Sequence, residues 1–458
     1  MPNNSALFEK LIQKFESVGM PYCILAGYDG YPDNITSDVD FMIHASWSDR
    51  LPALIAETAE DGGAHLVQSL QHETSATYFV LALQDGPTMS YLHPDSSCDY
   101  KRSNRFWLSA VDILKNRRRH ARGFWVPSAP DAFIYYLIKK VDKMSLSQEQ
   151  ADQLISRFAE DPRGCSARLQ SLLPPAEASL VQAAVCIQRS FEDPVWQSLQ
   201  ESLPHIRESL HAQAERISLR ERFHNALDEA RRKLVRIQQP TGLHIVFLGP
   251  DGSGKSSVIE CYMREMAQAF RRIEYRHLKP GPLRGSGPGP ITDPHGQPAR
   301  GLLGSTAKIL HFWGTYVKGG LLWSYPRYLR SSLLVFDRYY HDLLADPARY
   351  RFGGPMWLAR LLGRLLPQPD LVFILDAPAE VLQSRKQEVP FEESVRQRTA
   401  YRNLKSEYAR AYIIDSSEPL DKVVASVLTH TVTFMKQRTA KRLGLSRDAA
   451  RGFHLCKP

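Results

Sequence analysis

The stretch Gly249-Pro250-Asp251-Gly252-Ser253-Gly254-Lys255-Ser256-Ser257 decides the fold of this chain. It matches the pattern G-x-x-x-x-G-K-[ST], in which glycines let the backbone curl around phosphate oxygens. The apolar run 243–248 (LHIVFL) predicts a buried strand before the loop, and residues 257–270 predict a helix after it. Strand, glycine loop and helix in this order predict a phosphate-binding site.

The residues of this loop have distinct predicted roles. All nine, from Gly249 to Ser257, are predicted to bind nucleotide phosphates, helped by the positive end of the following helix. Lys255 would reach the β- and γ-phosphates, and the Ser256 hydroxyl would bind Mg²⁺. We therefore expect ATP and Mg²⁺ as cofactors. A chance glycine turn before a helix is disfavoured, because the full pattern and both flanks agree.

Length and composition describe a globular protein of more than one domain. The 458 residues suffice for two or three domains, and 43% hydrophobic with 23% charged content is ordinary for such proteins. The formal net charge of +9 suits phosphorylated substrates, an anionic membrane or nucleic acid, and equally a mildly basic soluble protein. Charge alone therefore does not choose a partner.

Cysteine usage and hydropathy predict a cytoplasmic protein. The six cysteines are Cys23, Cys98, Cys165, Cys186, Cys261 and Cys456. They form no C-x-x-C pair, which argues against a zinc site and a disulfide framework. The first fifteen residues lack an apolar signal core, and no apolar run reaches membrane-spanning length.

Residues beyond about 240 alternate between strand and helix patterns. The predicted strands are 243–248, 273–278, 333–336, 371–375 and 412–414. This alternation predicts an α/β domain with a parallel five-stranded sheet flanked by helices.

Further polar residues follow these strands. Asp337, at the end of a strand, could complete the Mg²⁺ shell or act as a base, and the adjacent Arg338 could grip a phosphate in bidentate fashion. Helical stretches farther along carry basic residues that could close over a transferring phosphoryl group. They are Arg385, Lys386, Arg396, Arg398 and Arg402.

Together these patterns resemble thymidylate kinase and related nucleotide kinases over roughly residues 242–430. The shared elements are G-x-D-G-x-G-K-S, D-R-Y at 337–339, P-D-L-x-x-x-L-D-x-P at 369–378, the arginine segment and a closing loop at 413–419. The resemblance implies that Asp251 and Arg338 face the acceptor, and that Arg385, Arg396 and Arg398 belong to a lid. It also implies that residues 416–419 lie near the adenine.

The acceptor region departs from that family. The A-Y-Q stretch that holds thymine is missing after D-R-Y, and His277-Leu278-Lys279-Pro280-Gly281 replaces R-E-P-G-G. A Gly/Pro-rich loop at 281–298 and an aromatic helical stretch at 312–323 follow. The segment D-P-x-R-Y-R-F-G-G-P at 346–355 resembles kinase-like proteins of bacterial surface-polysaccharide synthesis. We therefore expect either a nucleoside monophosphate such as dTMP or a sugar or glycan hydroxyl as acceptor.

The N-terminal region carries a second acidic pattern. An apolar strand ends at Gly27, and a predicted strand at 37–43 places Asp38 and Asp40 on the same face. Adjacent carboxylates call for a cation, as in two-metal nucleotidyl transfer. The region resembles the polymerase-beta-like nucleotidyltransferase superfamily, which implies metal ligation by Asp38, Asp40 and, as nearest third candidate, Asp99. Tyr28 stands where that family has a small residue, and a solvated acidic strand is the alternative.

These patterns divide the chain into four segments. They are a nucleotidyltransferase-like α+β domain (1–145), a helical spacer broken at Pro174-Pro175 and Pro204 (146–238), a P-loop kinase-like α/β domain (239–430) and a basic helical tail (431–458). For the tail we expect either peripheral membrane contact or a solvated helix face. A homodimer is left open, and nucleic acid is not expected as a partner.

Three functions follow from these patterns. The first is a Mg²⁺- and ATP-dependent phosphotransferase of the thymidylate or nucleotide kinase type. The second is a nucleotidyltransferase that uses the N-terminal D-x-D site and is regulated by its kinase-like half. The third is a scaffold protein at a membrane surface that binds ATP without turning it over.

Overall fold

The structure, a computed structural model, describes residues 4–73, 76–102, 105–186, 191–216, 218–281, 298–387, 389–448 and 452–455. The chain separates into two compact units. One comprises Asn3–Leu81, Leu92–Arg232 and Ala440–Pro458, and the other is built mainly from Lys233–Thr439, with Ala82–Tyr91.

Residues up to 238 form a mixed sheet and a set of helices. The strands are β1 (Tyr22–Ala26), β2 (Val39–Ile43), β3 (His65–Glu73), β4 (Ala76–Asp85), β5 (Thr88–Leu92), β6 (Pro94–Ser97), β7 (Tyr100–Arg102), β8 (Arg105–Leu108), β9 (Arg118–Arg119), β10 (Trp125–Val126) and β11 (Glu215–Arg216). The helices are α1 (Asn4–Ser17), α2 (Leu51–Asp61), α3 (Ala110–Asn116), α4 (Ala129–Asp142), α5 (Gln148–Glu160), α6 (Pro162–Leu172), α7 (Pro175–Cys186), α8 (Pro194–Gln213) and α9 (Leu219–Gln238).

The main N-terminal sheet has the order β1-β2-β6-β4-β3, and β5 pairs with β4. β2 and β6 are parallel, whereas β1 with β2 and β4 with β6 are antiparallel. Helices α4 to α8 share one hydrophobic core with this sheet, in which Met42 lies with Phe133 and Trp196. The helices predicted as a spacer therefore complete the core of the N-terminal fold.

Two local predictions in this region were wrong. β2 begins at Val39, so Asp38 precedes the strand that was predicted to start at residue 37. Pro204 does not break a helix but lies inside α8. Leu203, Ile206 and Leu210 are buried around it, and this packing offsets the hydrogen bond that proline cannot donate.

The C-terminal unit is a parallel α/β sheet, as predicted. Its strands are β12 (Leu243–Leu248), β13 (Arg272–His277), β14 (Ser332–Asp337), β15 (Leu371–Asp376) and β16 (Ala411–Asp415). Its helices are α10 (Lys255–Glu265), α11 (Leu302–Gly319), α12 (Tyr325–Leu329), α13 (Asp342–Ala345), α14 (Met356–Arg364), α15 (Ala379–Arg385), α16 (Phe391–Asn403) and α17 (Leu420–Leu443). A π-helical turn, Gly320–Ser324, joins α11 to α12.

All pairings in this sheet are parallel, in the order β13-β14-β12-β15-β16. β12, β14 and β15 are buried along their whole length, which explains their unbroken apolar sequences. The carboxyl ends of the three strands lie at one edge, where ligands bind in open α/β sheets.

The end of the chain differs from the predicted helical tail. The helix α17 stops at Leu443, because Gly444 adopts a φ of +62° that ends helices. An antiparallel pair follows, β17 (Leu445–Asp448) and β18 (Gly452–Leu455). Within the described ranges, no helix is both long and apolar enough to cross a bilayer. Most of the predicted Gly/Pro-rich loop at 281–298 lies outside the described residues.

Candidate functional site

The phosphate-binding loop connects β12 to α10 and requires glycine at two positions. Gly249 has a φ of +149° and Gly252 a φ of +81°. A Cβ would lie 2.6 Å from the Leu375 carbonyl oxygen at the first position and 2.7 Å from that of Leu382 at the second. The loop therefore packs closely against β15 and α15, and only glycine fits there.

Lys255 begins α10 and is almost fully buried. Its Nζ donates to the carbonyl oxygens of Gly249 and Pro250, both at 2.9 Å, so the ammonium group lies across the loop. Burial, reinforced by the nearby positive charge of Arg338, lowers the pKa of Lys255 to about 8. The group is thus a partly desolvated cation, which an anionic phosphate would stabilise.

Asp337 ends β14 beside the loop. In the parallel register it is the neighbour of Phe247, at the end of β12. Its side chain is buried, and its Oδ2 accepts from the Tyr275 hydroxyl at 3.4 Å. Its Oδ1 has no hydrogen-bond partner among the described residues. An orphaned carboxylate oxygen is a suitable Mg²⁺ ligand, and Ser256 is exposed in the first turn of α10. Both side chains offer oxygen, the ligand that Mg²⁺ prefers, so Asp337 and Ser256 would be the protein ligands of the predicted magnesium ion.

Asp251 of the loop lies between two guanidinium groups. Arg338 Nη2 donates to its Oδ1 at 2.6 Å, and Arg349 Nη2 donates to its Oδ2. Burial alone would raise the pKa of Asp251, but these two arginines hold it well below its usual range. Arg338 also adopts a φ of +74°, a rare backbone conformation for a non-glycine residue at the end of a strand.

Both arginines are also bound from the other side by buried carboxyl groups. Arg338 Nη1 donates to both oxygens of Asp342 at 3.2 Å, and Arg349 Nε donates to Asp346 at 3.1 Å. The hydroxyls of Tyr350 and Tyr401 donate to Asp342 at 2.8 and 2.7 Å, from 8 and 59 residues farther along the chain. We call Asp251, Arg338, Asp342, Asp346 and Arg349 the acceptor cluster.

The predicted lid arginines bind three different places. Arg398 makes a bidentate contact with Asp376 at the end of β15, at 2.8 and 3.1 Å, and Arg402 binds the same carboxylate at 2.8 Å. Arg396 binds Glu393 through two bonds of 2.7 Å and the Ala345 carbonyl at 3.4 Å. Arg385 donates to the Ser416 carbonyl at 2.9 Å. The structure therefore places Arg385 on the predicted adenine loop and Arg398 on the edge of the sheet.

The predicted N-terminal carboxylates are only partly brought together. Asp38 accepts from the Tyr78 hydroxyl at 3.0 Å, Asp40 is bound by Lys139, and Asp99 accepts from the Ala110 amide at 3.0 Å. In the described part of the chain, no group of three His, Cys, Asp or Glu side chains is placed to hold a metal ion. The carboxylate beside Asp40 across the parallel β2–β6 pair is instead Asp95.

Gly27 fixes the turn that leads to this acidic strand. It has a φ of +88°, and a Cβ there would lie 1.9 Å from the Asp38 carbonyl oxygen. Tyr28, the bulky residue that follows, packs its ring against His120 and Phe124. Its side chain is thus part of an aromatic cluster.

Sequence reasoning missed Arg349, Asp342, Asp346 and Asp95. A local signal was present for three of them, because Arg338 with Asp342 and Asp346 with Arg349 are spaced as ion pairs of a helical turn. The pairing of Asp95 with Asp40 depends on strand order and has no local signal.

Comparison with known proteins gives a partial sequence match to a thymidylate kinase. No family model matches the chain. Probable thymidylate kinase 1 of Saccharolobus solfataricus is 29% identical over 104 residues, which are 21% of this chain and 53% of that protein. The match thus spans about half the length of this curated relative. A thymidylate kinase structure from Ehrlichia chaffeensis aligns over 42% of this chain and 99% of its own, with 17% identity and a TM-score of 0.31.

Proposed function

We propose that the chain is an ATP- and Mg²⁺-dependent phosphotransferase. The observation that carries the proposal is the position of buried Asp337, with its unpartnered Oδ1, beside the loop that buries Lys255. Bound Mg²⁺-ATP would supply the phosphoryl group and the charge that polarises it. Lys255 would neutralise phosphate oxygens and Ser256 would hold the metal. Asp337 would complete the metal shell or accept the proton of the acceptor hydroxyl.

Phosphate transfer from labelled ATP tests this proposal. Lys255→Ala should abolish transfer, because no other side chain replaces its buried ammonium group in the loop. Lys422→Ala is the matched control, since Lys422 is exposed and pairs with Glu418 four residues away. Equal transfer by the wild type and Lys255→Ala would refute a role for the loop.

The acceptor cluster favours a hydroxyl acceptor without its own phosphate. Three carboxyl groups, those of Asp251, Asp342 and Asp346, already bind the two guanidinium groups of Arg338 and Arg349. A nucleoside monophosphate would have to displace a buried carboxylate from one of these arginines, which costs free energy. We therefore propose a sugar or glycan hydroxyl as acceptor. The match to a thymidylate kinase supports the alternative, dTMP.

Two acceptor panels separate these possibilities. One contains nucleoside monophosphates including dTMP, and the other contains sugars and surface glycans. Transfer to a sugar or glycan supports the proposed acceptor. Transfer to dTMP alone would show that the arginines exchange partners when the acceptor binds, and the protein would be a nucleotide kinase.

Nucleotidyl transfer in the N-terminal unit is a second candidate. It is favoured by the neighbouring positions of Asp40 and Asp95 on parallel strands. Tyr78 donates to Asp38 at 3.0 Å and lies opposite Asp95 across the β4–β6 pair. Burial raises the pKa of its hydroxyl, and the carboxylates of Asp38, Asp95 and Asp40 raise it further. For this function, Asp38→Asn and Asp40→Asn should remove nucleotide incorporation while Lys255→Ala leaves it intact. The reverse pattern would eliminate it.

A further inference from the structure

The helix α11 is apolar on two opposite faces. Its inner face packs Ile309, Phe312 and Tyr316 into the core. Its outer face and the following π-helical turn expose leucines, with Leu303 at 87% and Leu322 at 70% of their full accessible area. A surface helix normally has a polar outer face, so the exposed leucines depart from the usual pattern.

The neighbouring helix α14 continues this surface. Trp357, Leu361 and Leu365 recur every four residues and are 66%, 48% and 61% exposed. The two segments lie side by side, since a Cβ on Gly320 would be 2.9 Å from the Pro367 ring. We call the exposed leucines of 302–322, with Trp357, Leu361 and Leu365, the leucine face. Large contiguous apolar patches of this kind mark interaction sites.

The exposed charges on the segments that carry the leucine face are basic. Residues 298–336 and 347–369 contain no Asp or Glu, and their exposed charged residues are Arg300, Lys318, Arg330, Arg360 and Arg364. Arg360 and Arg364 lie on α14 among its exposed apolar residues and are 55% and 70% exposed. Both pair with Glu407, at 3.4 and 3.7 Å, which supplies one compensating negative charge.

We propose that the leucine face docks on the surface of an anionic lipid bilayer. Exposed leucines, one tryptophan and a basic surround are the features of elements that lie in the membrane interface. Anionic headgroups would pair with the arginines and lysines while the leucines enter the acyl boundary. A second copy of the chain fits less well, because a two-fold dimer would place this basic surround against itself. This proposal does not depend on the proposed phosphotransfer.

Vesicle flotation of the full chain tests the proposal. The probes are vesicles of phosphatidylcholine with about 30% phosphatidylserine and vesicles of phosphatidylcholine alone. The test variant is the pair Leu303→Glu and Leu322→Glu. The control is the pair Leu227→Glu and Leu234→Glu on α9, where both leucines are also more than half exposed. Circular dichroism and thermal unfolding would show that both variants are folded.

We expect the wild type and the control to bind the anionic vesicles. The test variant should bind these vesicles at least tenfold more weakly, and the wild type should bind the neutral vesicles at least tenfold more weakly. Added salt should weaken binding, because surface charges are screened. Three results would overturn the proposal. The first is that the wild type does not bind anionic vesicles. The second is that the control loses as much vesicle binding as the test variant. The third is that the wild type is a dimer, the test variant is a monomer, and neither binds vesicles. The last result would make the leucine face a self-association surface.

Discussion

Arg338 donates a hydrogen bond of 2.6 Å to Asp251, joining the end of β14 to the phosphate-binding loop across 87 residues of sequence. The residue that would face the acceptor is therefore bound directly to the loop that would hold ATP. Arg349 binds the other oxygen of the same carboxylate. Both arginines therefore meet the phosphate-binding loop at one carboxylate.

Arg349→Lys should weaken acceptor binding selectively. A lysine keeps the charge but cannot bind Asp251 and Asp346 at the same time, because it lacks the planar fork of donors. We expect the KM for the acceptor to rise about tenfold, equivalent to about 1.4 kcal/mol, with the KM for ATP unchanged. Steady-state kinetics with each substrate varied in turn would measure both. Arg330→Lys, at an exposed position, should change neither.

Asp342→Asn should destabilise the C-terminal unit strongly. Asp342 is fully buried and accepts from Arg338, Tyr350 and Tyr401. Removing one partner of a buried ion pair leaves the other charge uncompensated, which costs about 3–5 kcal/mol. Chemical denaturation would measure the free energy of unfolding. Asp421→Asn, at an exposed helix position, should stay within about 0.5 kcal/mol of wild type, and an equally small loss for Asp342→Asn would contradict the network.

Lys255 should make the stability of the protein rise with pH in alkaline solution. Its pKa is about 8 in the folded protein and about 10.4 in the unfolded chain. Between these two pH values the unfolded chain binds more protons than the folded protein. The free-energy cost of burying the charged ammonium group is therefore full below pH 8 and falls as the pH rises. The unfolding free energy of wild type relative to Lys255→Met should increase by on the order of 3 kcal/mol from about pH 7 to about pH 10.4.

Titrating both proteins by urea denaturation at each pH would test this dependence. Comparing wild type with Lys422→Met, which removes an exposed lysine, should give a flat difference. A flat difference for Lys255→Met as well would mean that the Lys255 ammonium is hydrated in the folded state.

Gly27→Ala should disrupt the N-terminal unit, whereas Gly19→Ala should be tolerated better. Both glycines have positive φ, but a Cβ at residue 27 would overlap the Asp38 carbonyl, and a Cβ at residue 19 would meet nothing within 4 Å. We expect a loss of about 1–2 kcal/mol at residue 19 from backbone strain alone, and more than about 3 kcal/mol at residue 27. Similar unfolding free energies for the two variants would show that the turn before β2 adjusts.

The sheet of the C-terminal unit could be predicted because its three central strands, β12, β14 and β15, are buried on both faces. The apolar composition of LHIVFL at 243–248 and LVFILD at 371–376 is enough to predict buried strands. The glycine loop shows which of these strands carries the phosphate site. The end of α17 was missed because helical propensity continues past Leu443, while the single residue Gly444 turns the backbone.

The acceptor cluster could be predicted only in part. Asp251 and Arg338 belong to a recognisable pattern, but the contact of Arg349 with Asp251 spans 98 residues. Such contacts depend on the loop at 346–353 returning to the edge of the sheet. Asp95 has no local signal either, since only the pairing of β6 with β2 brings it beside Asp40.

The inner side of α11 holds this returning loop in place. Ser305 Oγ accepts from the Gly353 amide at 2.9 Å, and Lys308 donates to the Tyr350 carbonyl oxygen. The loop between them and β14 carries Arg349, so one rigid helix has leucines on its outside and supports the acceptor cluster on its inside. Any partner that shifts this helix when it binds outside must change acceptor affinity, and by thermodynamic linkage the acceptor must change the partner's affinity by the same factor.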